Sequence, residues 1–238
     1  MAEIRAHLAT FPPRLPLLQS VFDAVAPQVD RLFVTLNRYS EIPDVCASHR
    51  NIGPVIPDDD LEDTGKFLHR PAPDDIVFLI DDDIRYPQEY VQSTLQACAG
   101  LPLDTNVFGY QANLLCHDRR RNRTGLQTLN FAAGLDLVTG VDIVGTGTVC
   151  ALGRNIAPFE VMRTARCFAD LRYARWLYAR GVKAWALPRP EGFLRNMLPR
   201  HLKASSIYET YTRHGPAESL RELPLFLGRA DHVERVVW

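Results

Sequence analysis

The sequence predicts an α/β fold: a mixed, mostly parallel sheet flanked by helices in a single domain. Three observations carry this expectation. A strand–helix–strand pattern occupies residues 4–36. A continuous apolar run, Ile76 to Ile80, ends abruptly on three aspartates. A helix-spaced apolar stripe over Phe168 to Arg180 stops at Gly181 and leads into the apolar stretch Val182 to Leu187. Strands alternating with helices build parallel sheets through right-handed crossovers.

Taken in order, Ile4 to Ala9 reads as the first strand, broken by Pro12 and Pro13. Leu15, Leu18, Val21, Phe22 and Val25 recur at helical spacing, and Pro27 ends that helix. Leu32 to Leu36 reads as a buried strand. Residues 40–75, rich in Pro and Asp, read as irregular, with a short helix near Gly65 to Leu68. Ile76 to Ile80 is expected at the centre of the sheet, because a strand covered on both faces is apolar throughout. Pro87 suits the first turn of the next helix, and Tyr90, Val91, Leu95 and Cys98 form its stripe. Val107 to Ala112 and Val141 to Gly145 are expected as further strands. On the late helix Leu171, Ala174, Leu177 and Tyr178 share a face, and Gly181 is its stop. From Pro188 onward the pattern gives few clear elements. No repeat, low-complexity tract or linker is visible.

The 238 residues are 46% hydrophobic and 23% charged, enough to bury a core and unlike a disordered chain. Lys and Arg number 27 against 28 Asp and Glu, a net charge of -1, which argues against a generally basic nucleic-acid binder. No apolar run approaches the ~18 residues that span a bilayer. Glu3, Arg5 and His7 leave the N-terminus without a signal-peptide core. The cysteines, Cys46, Cys98, Cys116, Cys150 and Cys167, are odd in number and form no CxxC pair. Reduced thiols and a cytoplasmic setting fit that pattern better than a disulfide framework or a cysteine zinc site.

The segment Ile76 to Pro87, IVFLIDDDIRYP, concentrates the chemistry. Ligands of open α/β sheets bind beyond the carboxyl ends of strands. Asp81, Asp82 and Asp83 repel one another there unless a cation or hydrogen-bond donors offset the charge. A hard divalent ion, Mn²⁺ or Mg²⁺, bridging to substrate phosphates answers that need. The plainer alternative is a solvated acidic turn before the next helix.

An apolar strand running into DDD resembles the metal-binding motif of GT-A fold glycosyltransferases, above all the family-2-like enzymes of bacterial polysaccharide synthesis. Other pieces are similar in chain order over residues 4–187. Thr10-Phe11-Pro12-Pro13-Arg14 resembles the first nucleotide-contacting loop, Asn37 ends the second strand, and Asp63-Thr64-Gly65-Lys66 looks like the GK segment before the acidic strand. The resemblance implies one GT-A-like domain over 1–238, with a nucleotide-binding half at about 1–100 and an acceptor half at about 101–238. It implies a nucleotide-sugar donor and a saccharide or lipid-linked acceptor. It also implies Mn²⁺ or Mg²⁺ as cofactor, and Asp81, Asp82, Thr10, Phe11, Pro12, Arg14, Asn37 and Lys66 on the donor. Asp83 would meet the metal. Lys66 would bind base or diphosphate, or is a solvated surface lysine. Asp170 resembles the family's acidic base, although Ala169 stands where an ED pair has its first acid; it is equally placed to serve the dipole of the helix it starts. An in-line attack assisted by Asp170 would invert the anomeric carbon.

Weaker features remain open. Gly145-Thr146-Gly147-Thr148 lines the acceptor side of the cleft or is a plain glycine turn. His117 to Arg123, HDRRRNR, is a solvated loop or an attractor of an anionic acceptor or of the inner-membrane surface. His201 is a structural histidine or a further metal ligand. Two other functions compete: a non-catalytic nucleotide-sugar-binding module of a larger assembly, and a sugar-phosphate nucleotidyltransferase, against which the stretch ATFPPRLP at residues 9–16 lacks a glycine-rich phosphate loop.

Overall fold

The computed structural model describes residues 2–118 and 123–205. The first strand, β1 (Ile4–Thr10), is followed by helix α1 (Leu15–Val25) and strand β2 (Arg31–Leu36), which pairs parallel with β1. Strand β3 (Ile52–Val55) extends the same parallel edge, and β4 (Ile76–Ile80) pairs parallel on the other side of β1. After the aspartates come the short strand β5 (Ile84–Arg85) and helix α2 (Tyr90–Cys98). The chain continues through β6 (Asn106–Gly109), β7 (Ala112–Asp118), β8 (Arg123–Leu129), β9 (Thr139–Val141), β10 (Ile143–Val144) and β11 (Thr148–Leu152). Helices α3 (Phe159–Met162) and α4 (Ala169–Ala179) precede β12 (Lys183–Ala186) and β13 (Arg195–Asn196). The main sheet has the order β3-β2-β1-β4-β11-β6-β12-β9, with β11 antiparallel to both β4 and β6, and β9 antiparallel to β12.

Two apolar layers explain why β4 is apolar throughout. Phe78 and Ile80 face α1 and α2, packing in one core with Leu18, Phe22, Val25 and Tyr90. Val77 and Leu79 face the opposite way, into a core with Phe67, Met162, Tyr173 and Leu177. Successive strand residues point to opposite faces. Carried one step past Ile80, that alternation sends Asp81 toward α4 and Asp82 toward α1.

The register sets the rest. Leu8 pairs with Ile80, so Thr10 at the end of β1 lies level with Asp82. Thr148 pairs with Ile80 in the antiparallel ladder, so Gly147 comes level with Asp81. The carboxyl ends of β1 and β4 and the amino end of β11 therefore form one rim.

Several elements depart from the sequence expectation. Residues 40–75 contain β3, whose Gly53 and Pro54 hide a strand; proline is tolerated because β3 is an edge. The expected strand Val107 to Ala112 is the end of β6 and the start of β7, and Val141 to Gly145 divides into β9 and β10. Strand β11 was not anticipated, since its short run TVCAL follows glycines that read as a turn. The strands β7 and β8 pair antiparallel and, with β10, form a separate sheet. Of the basic run HDRRRNR, residues 119–122 lie outside the described residues. Beyond Pro188 the chain returns to the acidic turn: β13 pairs with β5, and the Met197 N–H donates to the Asp83 carbonyl at 2.7 Å. Among the described residues no helix is long and apolar enough to cross a membrane.

Candidate functional site

Lys66 is the hub of the rim. It lies in the 3-10 turn Glu62–Phe67, its side chain is only 4% exposed, and its ammonium sits on the Asp81 carboxylate. A second contact reaches the Thr146 carbonyl at 3.4 Å. Burial by itself would lower the ammonium's pKa, but Asp81, Asp170 and Asp63 outweigh it and hold it above its ordinary value. Lys66 is thus no surface lysine. Two packing features fix it. A Cβ on Gly65 would fall 2.8 Å from the Thr35 methyl, so only glycine lets the turn lie this close to the sheet. The buried ring of His7 contacts the Lys66 carbonyl through Nδ1 at 3.0 Å; burial drops its pKa to about 3, so the ring is neutral and Nδ1 donates.

Arg14 holds the other end of the acidic triplet. Its Nη1 donates to Asp83 Oδ2 at 2.9 Å and lies 3.9 Å from Asp82 Oδ1. Its Nε is buried and has no hydrogen-bond partner among the described residues. The Thr10 hydroxyl donates to Asp82 Oδ2 at 2.7 Å. Burial pushes the Asp82 carboxyl up to about 7, against the pull of Arg14 and Thr10. Asp83 is raised too, first by burial and then by the charge of Asp81. Tyr86 braces the turn: its hydroxyl accepts from the Asp81 N–H and donates to the Gly147 carbonyl, both at 2.8 Å.

Asp170 reaches the rim from the first turn of α4. Its Oδ1 accepts from both the Thr146 N–H and the Thr146 hydroxyl, each at 2.7 Å. Burial raises its carboxyl above the ordinary range, although Thr146 and Lys66 oppose that. Asp81 and Asp170 thus share the field of one lysine on one side of the sheet.

The remaining expected residues are placed less directly. Phe11 is half-buried, with the guanidinium groups of Arg14 and Arg38 5.6 and 5.3 Å from its ring centre. Pro12 is exposed and opens the 3-10 turn Pro12–Arg14. Asn37 is buried and spends its amide on main chain: it accepts from the Leu61 N–H and donates to the Glu62 carbonyl, both at 2.9 Å. That ties the end of β2 to the turn holding Lys66. His201 is exposed in the 3-10 turn Arg200–Ser205.

Among the described residues no three His, Cys, Asp or Glu side chains are arranged to enclose a metal ion, so His201 completes no such set. The donors nevertheless suit Mg²⁺ or Mn²⁺ in one respect. Such ions are commonly held by one or two carboxylates, with water and substrate phosphate oxygens filling the other positions. Asp81, Asp82, Asp83 and Asp170 face two cations, Lys66 and Arg14, and the carboxyls of Asp82, Asp83 and Asp170 are all pushed upward. A divalent ion would relieve that excess of negative charge.

Sequence reasoning gave Tyr86 no role, quoted Asp63 only within the segment that bears Lys66, and read Thr146 and Gly147 only as a stretch lining the acceptor side of the cleft or as a plain turn. Asp63 was visible beside Lys66 in DTGK, and Gly147 in GTGT, but neither spacing reveals its partner across the fold.

No family model matches the chain, and no curated protein matches it. Among solved structures it is similar to a nucleotidyl transferase from Methanothermobacter thermautotroptrophicus, at 14% identity over 92% of this chain and 98% of that one, with a TM-score of 0.46. A likeness at that level assigns no activity to this chain.

Proposed function

We propose that this protein is a transferase acting on a nucleotide-sugar donor, a glycosyltransferase that passes the sugar to an acceptor hydroxyl. The observation that carries the reading is the convergence of buried Lys66 and Arg14 with Asp81, Asp82, Asp83 and Asp170 on one rim of the sheet. A solvated acidic turn would leave its carboxylates to water and would not enclose a lysine. Among the described residues the buried Arg14 Nε has no hydrogen-bond partner, which leaves a charged donor for a diphosphate oxygen, whose negative charge grows as the anomeric bond breaks.

In this reading Asp170 takes the proton of the acceptor hydroxyl. Its Oδ2 receives no hydrogen bond among the described residues, while Thr146 fixes the carboxylate through Oδ1. A carboxylate raised by burial is a better base than an exposed one. The acceptor oxygen bonds to the anomeric carbon, the carbon–phosphate-oxygen bond breaks, and the nucleoside diphosphate leaves on the opposite face with inversion. Lys66 and Arg14 would orient the diphosphate, and Phe11 with Thr10 would border the nucleoside. Asp83, with Asp81 beside it, would hold Mn²⁺ or Mg²⁺, which supplies Lewis-acid neutralisation of the leaving charge.

The test is a panel of UDP- and GDP-sugars with Mn²⁺, read for released nucleoside diphosphate, alongside the same sugar phosphates with nucleoside triphosphates, read for pyrophosphate. Diphosphate release that falls about a hundredfold or more in Asp170→Asn supports glycosyl transfer. Pyrophosphate release assigns nucleotidyl transfer instead. Binding of donors without turnover of either kind makes the protein a binding module.

A further inference from the structure

Three non-glycine residues among those described have left-handed backbone: Arg38 at φ 59, Glu62 at φ 50 and Cys167 at φ 67. Side chains seldom adopt this region, and residues held there persist where their surroundings force them. These three belong to one network. Asn37, next to Arg38, bonds the main chain of Leu61 and Glu62. The Cys167 thiol donates to the Glu62 carboxylate at 2.9 Å, joining two strained residues that are 105 apart in sequence. Asp63 completes the lock: its Oδ1 accepts the Cys167 N–H at 3.0 Å and its Oδ2 the Ala169 N–H at 3.4 Å.

Those two N–H groups lie at the start of α4. A helix leaves its first N–H groups without internal partners, and a side-chain oxygen at the N-cap normally takes one. Phe168 occupies that position here and makes no such bond. Asp63, from a turn more than a hundred residues away, takes the N–H of Ala169, the first residue of the helix, and that of Cys167 just before the N-cap. It also lies close enough to Lys66 and Asp170 for each to affect its ionisation.

We propose that Asp63 is a positioning residue for Asp170: by fastening the main chain at Cys167 and Ala169 to the turn that bears Lys66, it fixes where α4 begins and so aims the Asp170 carboxylate at Thr146. Lys66 and Asp170 come from separate elements, and this clamp ties those elements together by two hydrogen bonds from main-chain N–H groups to one carboxylate. Its consequence for turnover rests on the role proposed above for Asp170; the positioning itself does not.

Amide hydrogen exchange tests it without any substrate. Among the described residues no hydrogen bond joins Thr146 to Asp63, and the Thr146 N–H is bonded to Asp170. In Asp63→Ala, exchange at Thr146 should speed up at least tenfold together with that of Cys167 and Ala169. Faster exchange at Cys167 and Ala169 with Thr146 unchanged would reduce Asp63 to a local cap and overturn the proposal. Should Asp63→Ala fail to fold, Asp63→Asn, which keeps one acceptor oxygen, is read the same way: at least threefold faster exchange at Thr146 supports the role, and no change defeats it. Once a donor is known, Asp63→Ala should lower kcat at least tenfold with its KM within twofold. That pattern would be absent from a wild-type protein with no turnover, so a failed function and a failed clamp give different results.

Discussion

The ammonium of Lys66, enclosed by protein, rests on the carboxylate of Asp81, and the Gly147 Cα lies against the same carboxylate, so the pair is wedged between two elements. Neither partner is paired by local sequence. Fifteen residues separate them, and their meeting depends on the 3-10 turn Glu62–Phe67 packing on β1 and β2.

Removing the lysine charge should be costly. Lys66→Met leaves Asp81, Asp63 and Asp170 without their shared cation, and breaking a buried pair from one side typically costs about 3–5 kcal/mol. Asp81 is 37% exposed, so water screens part of that loss and the low end is expected. The loss should depend on pH. Without Lys66 the carboxyls of Asp63 and Asp170 rise further, and an acid raised in the folded state weakens folding above its unfolded pKa. Urea titrations should therefore show a larger deficit at pH 8 than at pH 5, and an equal deficit at both would contradict the shared-cation picture.

Gly147 should tolerate no side chain. A Cβ there would overlap the Asp81 carboxylate, and overpacking of this kind costs about 1–3 kcal/mol. Gly147→Ala should lower the melting temperature and displace Asp81 from Lys66. Gly100→Ala is the natural control, since a Cβ at Gly100 meets nothing within 4 Å among the described residues. A thermal melt of both variants settles the comparison: similar behaviour would mean that the rim adjusts freely.

Asp82 carries a pH dependence of its own. Its carboxyl stands at about 7 in the folded protein against an ordinary 3.8. The folded state therefore holds a proton that the unfolded chain has lost, and stability falls as pH rises from about 4 to about 7, then levels off. That gap is equivalent to at most roughly 4 kcal/mol. Asp82→Asn keeps an acceptor for the Thr10 hydroxyl and removes the penalty. Denaturant melts should find it more stable than wild type at pH 8 and indistinguishable near pH 4, with weaker donor binding as the accompanying loss. A variant less stable at pH 8 would mean that Arg14 contributes more to Asp82 than burial takes away.

The fold was legible where one element decides its own pattern. The β1–α1–β2 unit, β4 and α4 each show a complete period of apolar residues, so burial could be read from spacing. Strands β3 and β11 were not legible because their identity comes from neighbours: a Gly-Pro edge strand and a five-residue strand after a glycine turn acquire their form only by pairing. The same divide runs through the site. Asp81, Asp83 and Arg14 stood out as residue types at a strand end or in the following loop, whereas the use of Asp63 and Thr146 rests on contacts across 104 and 24 residues, which no local motif encodes. Asn37 shows the converse: its place in the chain was visible, but its amide is spent on the Leu61–Glu62 turn.

Asp170 offers the sharpest test of mechanism. An asparagine in its place keeps an oxygen to accept both hydrogen bonds from Thr146 and retains the shape of the side chain, so α4 and the rim should stay as they are. What is lost is the ability to take a proton. General-base assistance contributes about 10²–10⁴ in rate, and Asp170→Asn should lose that much in kcat while donor affinity changes less than threefold. In the wild type the same group should set the acidic limb of kcat/KM. A base works only when deprotonated, and burial raises this carboxyl, so activity should increase with pH through a midpoint above the usual carboxylate range. Asp170→Asn should flatten that limb in whatever activity remains. A limb that persists unchanged would transfer the role to another group on the rim, and the carboxyls of Asp63 and Asp82, each near 7, are the ones to remove next.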